Sequence, residues 1–320
     1  MVTPTPPDSP NGNGVTARRW AAILRDLGHQ VAISQEYRSQ DYRPGRHQAL
    51  IALHAVKSAA AVRSFHADHP HAPIVIGLTG TDLYPSLDQT GVDPAVLALA
   101  SAIVVLQPDG INQVPPPLRP RTQAIFQSMP AIGPAPPRQD CFEVAFLAHV
   151  RPVKDPLLLA GAVGYLPAGS RVKVTHAGEG RDPELAVQLT AAAAATDRYD
   201  WLGPLPREQA VEILARSRLL AVTSVHEGGA NVVTEALALG VPVVSSAIPG
   251  SIGILGPDYP GYFRPGDARD LARLLRAAEV DQDGCYQALR ERCAALRSLA
   301  DPARERAAWA ALMAGIGVVS

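Results

Sequence analysis

Two carboxylates eight positions apart, Glu227 and Glu235, bracket a glycine pair in the segment Val225-His-Glu-Gly-Gly-Ala-Asn-Val-Val-Thr-Glu235. Gly228 and Gly229 let the backbone come close to a ligand. A helix opening near Asn231 aims its free N–H groups and the positive end of its dipole at the same spot, which suits a phosphate. Ala230 and Val232 belong to that same tip. Glu227 lies in the loop and Glu235 one helical turn further in, so the two can take hydroxyls at opposite ends of a phosphate-bearing ligand. An acidic helix start beside a glycine turn is the plain alternative.

Upstream, His149-Val-Arg-Pro-Val-Lys-Asp-Pro156 follows the first predicted strand of the second half. Arg151 and Lys154 therefore stand at a strand's carboxyl end, where open α/β sheets place their ligands. Two cations there can neutralise a diphosphate as its negative charge develops; a solvated loop salt bridge is the bland reading. Gly178 and Gly180, in His176-Ala-Gly-Glu-Gly180, again permit close backbone approach, although Gly-x-Gly by itself is a weak signal. The turn Trp201-Leu-Gly-Pro-Leu205 closes a further strand and offers the backbone of Gly203 to Leu205 to a base.

The first half has polar loops of its own. Asn11-Gly-Asn-Gly14 precedes the first predicted helix, with Thr16, Arg18 and Arg19 close behind; ordinary turn chemistry would also explain it. His54 and Lys57 end one predicted strand, Thr81 and Asp82 another, and Gln107 a third. A lone His54 would read as structural, but polar residues at successive strand ends are what a cleft-lining set looks like. Two decoys are read as loops: Asp281-Gln-Asp283, in a polar break between C-terminal helices, and His66-Ala-Asp-His-Pro-His71, at a helix end.

The elements that must position these residues alternate short apolar runs with helical periodicity, the pattern of parallel sheets with crossover helices. Strands are expected at 30–34, 49–53, 74–78 and 102–106, with helices at 17–27, 57–66 and 94–100. The Pro-rich stretch 131–140 can be neither helix interior nor central strand and reads as a linker. Beyond it strands are expected at 143–148, 171–177, 199–202, 219–222 and 242–245, and helices at 182–195, 207–217, 231–239 and 301–315. The division is thus 1–130, a linker at 131–140, a second domain at 141–300, and a final helix at 301–320 that packs back on the first domain.

With 320 residues the chain suits two α/β domains of about 150 residues each. Hydrophobic residues at 47%, charged residues at 18% and a net charge of -1 exclude general disorder and a nucleic-acid or anionic-membrane surface, so an anionic ligand must be held by local charge. Three cysteines without CxxC spacing argue against a disulfide framework or structural zinc and fit a reducing cytoplasm. No signal peptide or spanning apolar run is read, so the expectation is a soluble, cytoplasmic protein with no membrane or nucleic-acid partner. Its oligomeric state is left open.

The order Arg151 and Lys154, Gly178 and Gly180, Gly203 and Leu205, then Glu227 and Glu235 resembles the donor domain of family 4 glycosyltransferases, which have the glycosyltransferase B fold. The resemblance implies two facing doubly wound, Rossmann-like domains, an N-terminal acceptor-binding domain and a C-terminal nucleotide-sugar donor domain, with chemistry in the groove between them. By that resemblance Arg151 and Lys154 bind the donor diphosphate, Glu235 the ribose, and Glu227 with the loop from Gly228 to Val232 the donor sugar. Gly203 to Leu205 lie against the base. Gly12 is similar to the glycine-rich loop beside the donor phosphates and the acceptor. Asn11, Asn13, Thr16, Arg18, Arg19, His54, Lys57, Thr81, Asp82 and Gln107 are the acceptor-side candidates. Cationic side chains take the place of a metal, and no cofactor is implied. Before the glycine loop only Met1-Val-Thr-Pro4 can serve as the first strand, where the family has a longer apolar one, so that strand is expected to be short or incomplete.

Asn11 to Trp20, Leu78-Thr-Gly-Thr-Asp82, Glu227 to Asn231 and Gly253 to Phe263 together resemble a narrower group, the selenosugar synthases of selenoneine biosynthesis. That resemblance implies selenophosphate as acceptor and UDP-N-acetylglucosamine or a related UDP-sugar as donor, giving a carbon–selenium bond. A glycosyltransferase with a hydroxyl acceptor and a catalytically silent nucleotide-sugar-binding protein are the alternatives.

Overall fold

A computed structural model describes residues 1–6, 9, 12–39, 47–130 and 135–318. Asn11 and the linker residues 131–134 lie outside the described residues. The chain forms two compact units: Met1–Gln127 with Glu227–Asn231 and Pro302–Ser320, and Ser128–His226 with Val232–Asp301.

In the first unit, β1 (Leu50–Leu53), β2 (Ile74–Gly77), β3 (Ala102–Val105) and β4 (Thr122–Ala124) form a parallel sheet in that order. Every residue of β1, β2 and β3 is buried, as a sheet covered on both faces requires. Strand alternation splits them between two cores. Leu50, Ala52, Ile74, Ile76, Ile103 and Val105 pack with Val62 and Phe65 of the helix Ala59–Asp68. Ile51, Leu53, Val75 and Val104 pack instead with Trp20 and Leu24 of the helix Gly12–Asp26 and with Trp309, Leu312 and Met313 of the helix Pro302–Gly315. The rings of Trp20 and Trp309 lie 4.7 Å apart, tilted by 60°. Gly77 makes room for them, since a methyl group there would stand 2.8 Å from the Trp20 ring.

Among the described residues the sheet continues beyond β1 only as single bridges. Val2 pairs with both Ala52 and Ser34, its N–H donating to Ile51 O at 2.8 Å. The strand expected at 30–34 is therefore reduced to Ser34. None of its residues is buried, so no second apolar face draws it into the sheet. β4 was not anticipated, being three residues beside a Pro-rich turn and too short to show periodicity.

The second unit holds β5 (Phe142–Leu147), β6 (Val172–Ala177), β7 (Tyr199–Trp201), β8 (Leu219–Val222), β9 (Val243–Ser246) and β10 (Tyr262–Phe263). All pairings are parallel and the order is β10-β9-β8-β5-β6-β7. From β5 the chain winds outward through β6 and β7, then returns to the other side of β5 and winds through β8, β9 and β10. The reversal falls between β5 and β8, which is where an open α/β sheet forms its ligand crevice. β10, two residues long, also escaped the sequence reading. Among the described residues no helix is long and apolar enough to cross a membrane.

Candidate functional site

At the reversal point the chain leaves β5, forms the short 3-10 turn Pro152–Lys154 and enters the helix Pro156–Val163 through Asp155, whose φ is 41°. Two sets of hydrogen bonds tie this turn to the end of β8. The Thr223 hydroxyl donates to Lys154 O at 2.7 Å and Asp155 O at 3.0 Å. Val225 N–H donates to Val153 O at 2.9 Å. One layer further out, the Ser246 hydroxyl reaches Ser224 O at 2.6 Å. Arg151 and Lys154 therefore ride on a fixed turn at the crevice, Arg151 exposed and Lys154 half-buried.

Glu235 sits in the helix Asn231–Leu239 with only 6% of its surface exposed. Its Oε1 accepts from Arg207 Nη2 at 2.6 Å. Arg207 opens the helix Arg207–Arg216 just after Pro206, and the sequence reading did not single it out. A cation at a helix start, against the dipole preference, was the available signal.

The loops after β6 and β7 are locked to the one after β5. Gly178 N–H donates to Gly203 O at 2.8 Å, and Trp201 Nε1–H donates to Gly178 O at 2.9 Å. A methyl group on Gly178 would overlap the backbone of Ala148, so only glycine fits there. Val150 N–H reaches Glu179 O at 2.9 Å, beside a bridge from Val150 to the exposed Gly180. Gly203 has φ 72° with open space around it, and Leu205 is half-buried. Beneath these loops His176 is fully buried, 2.8 Å from Ala148 O through Nε2 and 3.0 Å from the Tyr199 hydroxyl through Nδ1. A carbonyl can only accept, so Nε2 carries the hydrogen and Nδ1 accepts from Tyr199. Burial lowers the pKa of His176 to about 4. His149 is lowered to about 4 as well, first by burial and then by Arg181. Its Nδ1 accepts from Glu179 N–H at 3.2 Å.

The acceptor-side candidates lie in the first unit, in two groups. Gly12 is exposed and Asn13 half-buried at the start of the helix Gly12–Asp26. Thr16 is buried and accepts from Gln127 Nε2 at 2.7 Å; Arg18 Nη1 donates to Ser9 O at 3.0 Å, and Arg19 is half-buried. The second group surrounds Asp82, which is fully buried. Thr79 N–H and the Thr79 hydroxyl donate to Asp82 Oδ2 at 2.8 Å and 2.9 Å, and Val56 N–H reaches Oδ1 at 3.3 Å. His54 Nδ1 lies 2.7 Å from Asp82 Oδ1, and its Nε2 lies 3.1 Å from the exposed Thr81 hydroxyl. Lys57 is exposed nearby in sequence. Gln107 is buried, donating to the Tyr84 hydroxyl at 3.1 Å and accepting from Asp109 N–H at 2.7 Å.

Glu227, Gly228, Gly229, Ala230 and Asn231 group with this first unit, whereas Val232, Glu235, Arg151 and Lys154 belong to the second. Gly228 passes against Gly80 so closely that a methyl group on Gly80 would stand 2.6 Å from Gly228 N. Of the decoys, Asp281 Oδ1 caps the helix Cys285–Leu296 by accepting from Tyr286 N–H at 2.8 Å and Gln287 N–H at 3.2 Å. His69 Nε2 meets the Tyr37 hydroxyl at 3.1 Å and its ring stacks on Phe65. Among the described residues no cluster of three or more His, Cys, Asp or Glu side chains could hold a metal ion.

Solved structures share this architecture. Sucrose-phosphate synthase from Thermosynechococcus elongatus superposes with a TM-score of 0.74 at 14% identity, covering 95% of this chain and 93% of that one. Anabaena HepE in complex with UDP-glucose gives 0.70 at 16% identity, over 83% of this chain and 78% of that one. These likenesses establish the fold, two doubly wound α/β units of the glycosyltransferase B kind. In sequence, D-inositol 3-phosphate glycosyltransferase of Mycolicibacterium smegmatis is 36% identical over 110 residues, 33% of this chain and 25% of that protein. The 2-deoxystreptamine N-acetyl-D-glucosaminyltransferase of Streptomyces fradiae is 26% identical over 183 residues, 57% of this chain and 42% of that protein. The match thus spans between a quarter and a half of these relatives' lengths. Residues 134–295, which include every strand of the second sheet and the turn bearing Arg151 and Lys154, match the family described as glycosyl transferases group 1. The chain belongs to the glycosyl transferases group 1 family.

Proposed function

We propose that this protein transfers a sugar from a UDP-sugar, UDP-N-acetylglucosamine, to selenophosphate. Selenium attacks the anomeric carbon, the bond from that carbon to the β-phosphate oxygen breaks, and UDP leaves with the electron pair. The second unit serves the donor and the first the acceptor. Arg151 and Lys154 stabilise the negative charge that grows on the leaving diphosphate, Glu235 holds the ribose, and the loop from Glu227 to Val232 holds the sugar. Gly203 to Leu205 lie along the base. Asn13, Arg18, Arg19 and Lys57 hold the phosphate part of the acceptor, whose selenium is already anionic and needs no strong base.

The observation that carries the donor half is the pinning of the Arg151–Asp155 turn to the end of β8 by Thr223 and Val225, at the reversal point of the second sheet. It supports this reading, because open α/β sheets bind their ligands at such a reversal point. The nucleotide is supported by family membership and by a fold shared with HepE, whose structure is a complex with UDP-glucose. The acceptor is supported by the resemblance of residues 78–82, 227–231 and 253–263 to the selenosugar synthases.

The test is incubation of pure protein with UDP-N-acetylglucosamine and selenophosphate, following UDP by chromatography and the product by mass spectrometry. Release of UDP with a selenium-bearing sugar is expected. No such product would reject the acceptor. A hydroxyl acceptor is the second reading, favoured by the similarity to D-inositol 3-phosphate glycosyltransferase and 2-deoxystreptamine N-acetyl-D-glucosaminyltransferase. UDP release dependent on a polyol and indifferent to selenophosphate would select it.

A further inference from the structure

We propose that Asp82, His54 and Thr81 form a hydrogen-bond relay whose outer end, the Thr81 oxygen, accepts from a hydroxyl or N–H of the bound substrate. The relay itself follows from geometry, while the identity of what it meets rests on the glycosyltransferase reading above.

Hydrogen positions follow by elimination. As a carboxylate Asp82 can only accept, and it already takes Thr79 N–H, the Thr79 hydroxyl and Val56 N–H. His54 Nδ1 faces Asp82 Oδ1 at 2.7 Å in a contact too bent to be a regular hydrogen bond. Two lone pairs at that distance would repel, so the ring hydrogen sits on Nδ1. In the neutral ring Nε2 is then the lone-pair end, and the Thr81 hydroxyl, 3.1 Å away, donates to it, whereas a ring with hydrogen on both nitrogens would reverse that bond. Thr79 Oγ1 lies 3.3 Å from Thr81 Oγ1, but its own hydrogen is spent on Asp82. The Thr81 oxygen is left with lone pairs and no hydrogen for the outside. It therefore suits a sugar hydroxyl or an amide N–H and repels a phosphate oxygen. A bent inner contact that straightens when the substrate arrives is common in ligand-free sites.

Two further features mark the site as built. His54 holds φ 68°, uncommon for a residue with a side chain, in a buried turn fixed by Ser58, whose N–H donates to His54 O at 3.0 Å and whose hydroxyl reaches Leu53 O at 2.6 Å. Gly80, beside Thr81, lies against Gly228 of the loop proposed to hold the sugar, and both belong to the first unit. Asp82 and His54 are positioning residues here, and Thr81 is the group that touches substrate.

The test pairs a substrate-free readout with kinetics. In protein labelled with nitrogen-15 histidine, the His54 resonances, assigned by their loss in His54→Asn, are expected to report hydrogen on Nδ1. Asp82→Asn turns an amide N–H toward Nδ1 and is expected to move the hydrogen to Nε2. With UDP-N-acetylglucosamine and whichever acceptor supports turnover, Thr81→Val is expected to lower kcat/KM roughly tenfold, and Thr81→Ser to restore most of it. Asp82→Asn should cost several-fold in the wild type and nothing further in the Thr81→Val background. Hydrogen on Nε2 in the wild type overturns the relay whatever the assay shows. So does an Asp82→Asn cost that is undiminished without the Thr81 hydroxyl, which would mark Asp82 as structural only. Thr81 is exposed, so its variants test the outer end even if Asp82→Asn fails to fold.

Discussion

Arg207 Nη2 holds Glu235 Oε1 at 2.6 Å, an ion pair with one member nearly buried and the other half in water. The carboxylate has lone pairs left over, so it can keep Arg207 and still take ribose hydroxyls. Glu235→Ala is expected to weaken UDP binding by roughly ten- to hundredfold, the scale of losing charge-assisted hydrogen bonds. Arg207→Ala should weaken it less while lowering stability by about 1–2 kcal/mol, because a nearly buried carboxylate loses its partner. Calorimetric titration with UDP and chemical denaturation check both; unchanged UDP affinity in Glu235→Ala would remove Glu235 from the donor site.

Arg151 and Lys154 are proposed to act on charge that exists mainly in the transition state. Their alanine variants should therefore lower kcat by on the order of a hundredfold while KM for the UDP-sugar moves much less. Steady-state kinetics over a range of donor concentrations separates the two. A rise in KM at constant kcat would make them ground-state clamps instead.

Acid should loosen the second unit. His176 has its folded pKa lowered to about 4 by burial, below the ordinary histidine value of 6.5. The unfolded chain therefore binds a proton more readily than the folded one between these values. Stability is intact above about pH 6.5 and falls as pH drops toward 4, by a few kcal/mol from His176, of the order of 3 by the usual conversion. His149 adds to the same slope in the same window, since its pKa is also lowered to about 4. Thermal unfolding measured between pH 7.5 and 4, within roughly the histidine titration range, should show a falling midpoint that His176→Gln flattens. A flat profile in the wild type would contradict the buried, neutral ring.

Gly178 and Gly203 should respond differently to the same change. Gly178→Ala drives a methyl group into the Ala148 backbone and is expected to cost several kcal/mol, about 3 or more, because backbone must move. Gly203→Ala meets open space at φ 72° and should cost only about 1 kcal/mol of backbone strain. Denaturation midpoints of the two variants test the ranking.

Much of the fold could be read in the chain because strands covered on both faces appear as unbroken apolar runs, as at β1, β2, β5 and β8. Elements of two or three residues, β4 and β10, carry too little pattern to be seen, and residues 30–34 have an apolar rhythm without a second face to bury it. Arg151, Lys154 and Glu235 stand out in the sequence as candidates because a strand end or helix start precedes each. What stayed hidden depends on distant partners: Arg207 with Glu235, and the hydrogen bonds that link His54, Thr81 and Asp82, which the sequence groups only as polar residues at successive strand ends. Nor does any local signal say that Glu227–Asn231, deep in the second half, packs with the first unit.

The stacking of Trp20 on Trp309 orders events during synthesis. Most of the first unit leaves the ribosome early, and Trp20 and Leu24 can pack on Leu53 and Val75 at once, yet the part of this core supplied by Trp309, Leu312 and Met313 is missing until the helix Pro302–Gly315 follows, after the whole second sheet. Until then that core is one helix short, and the apolar side chains that meet the helix lack their partner. Completion of the earlier unit waits on translation of the later one.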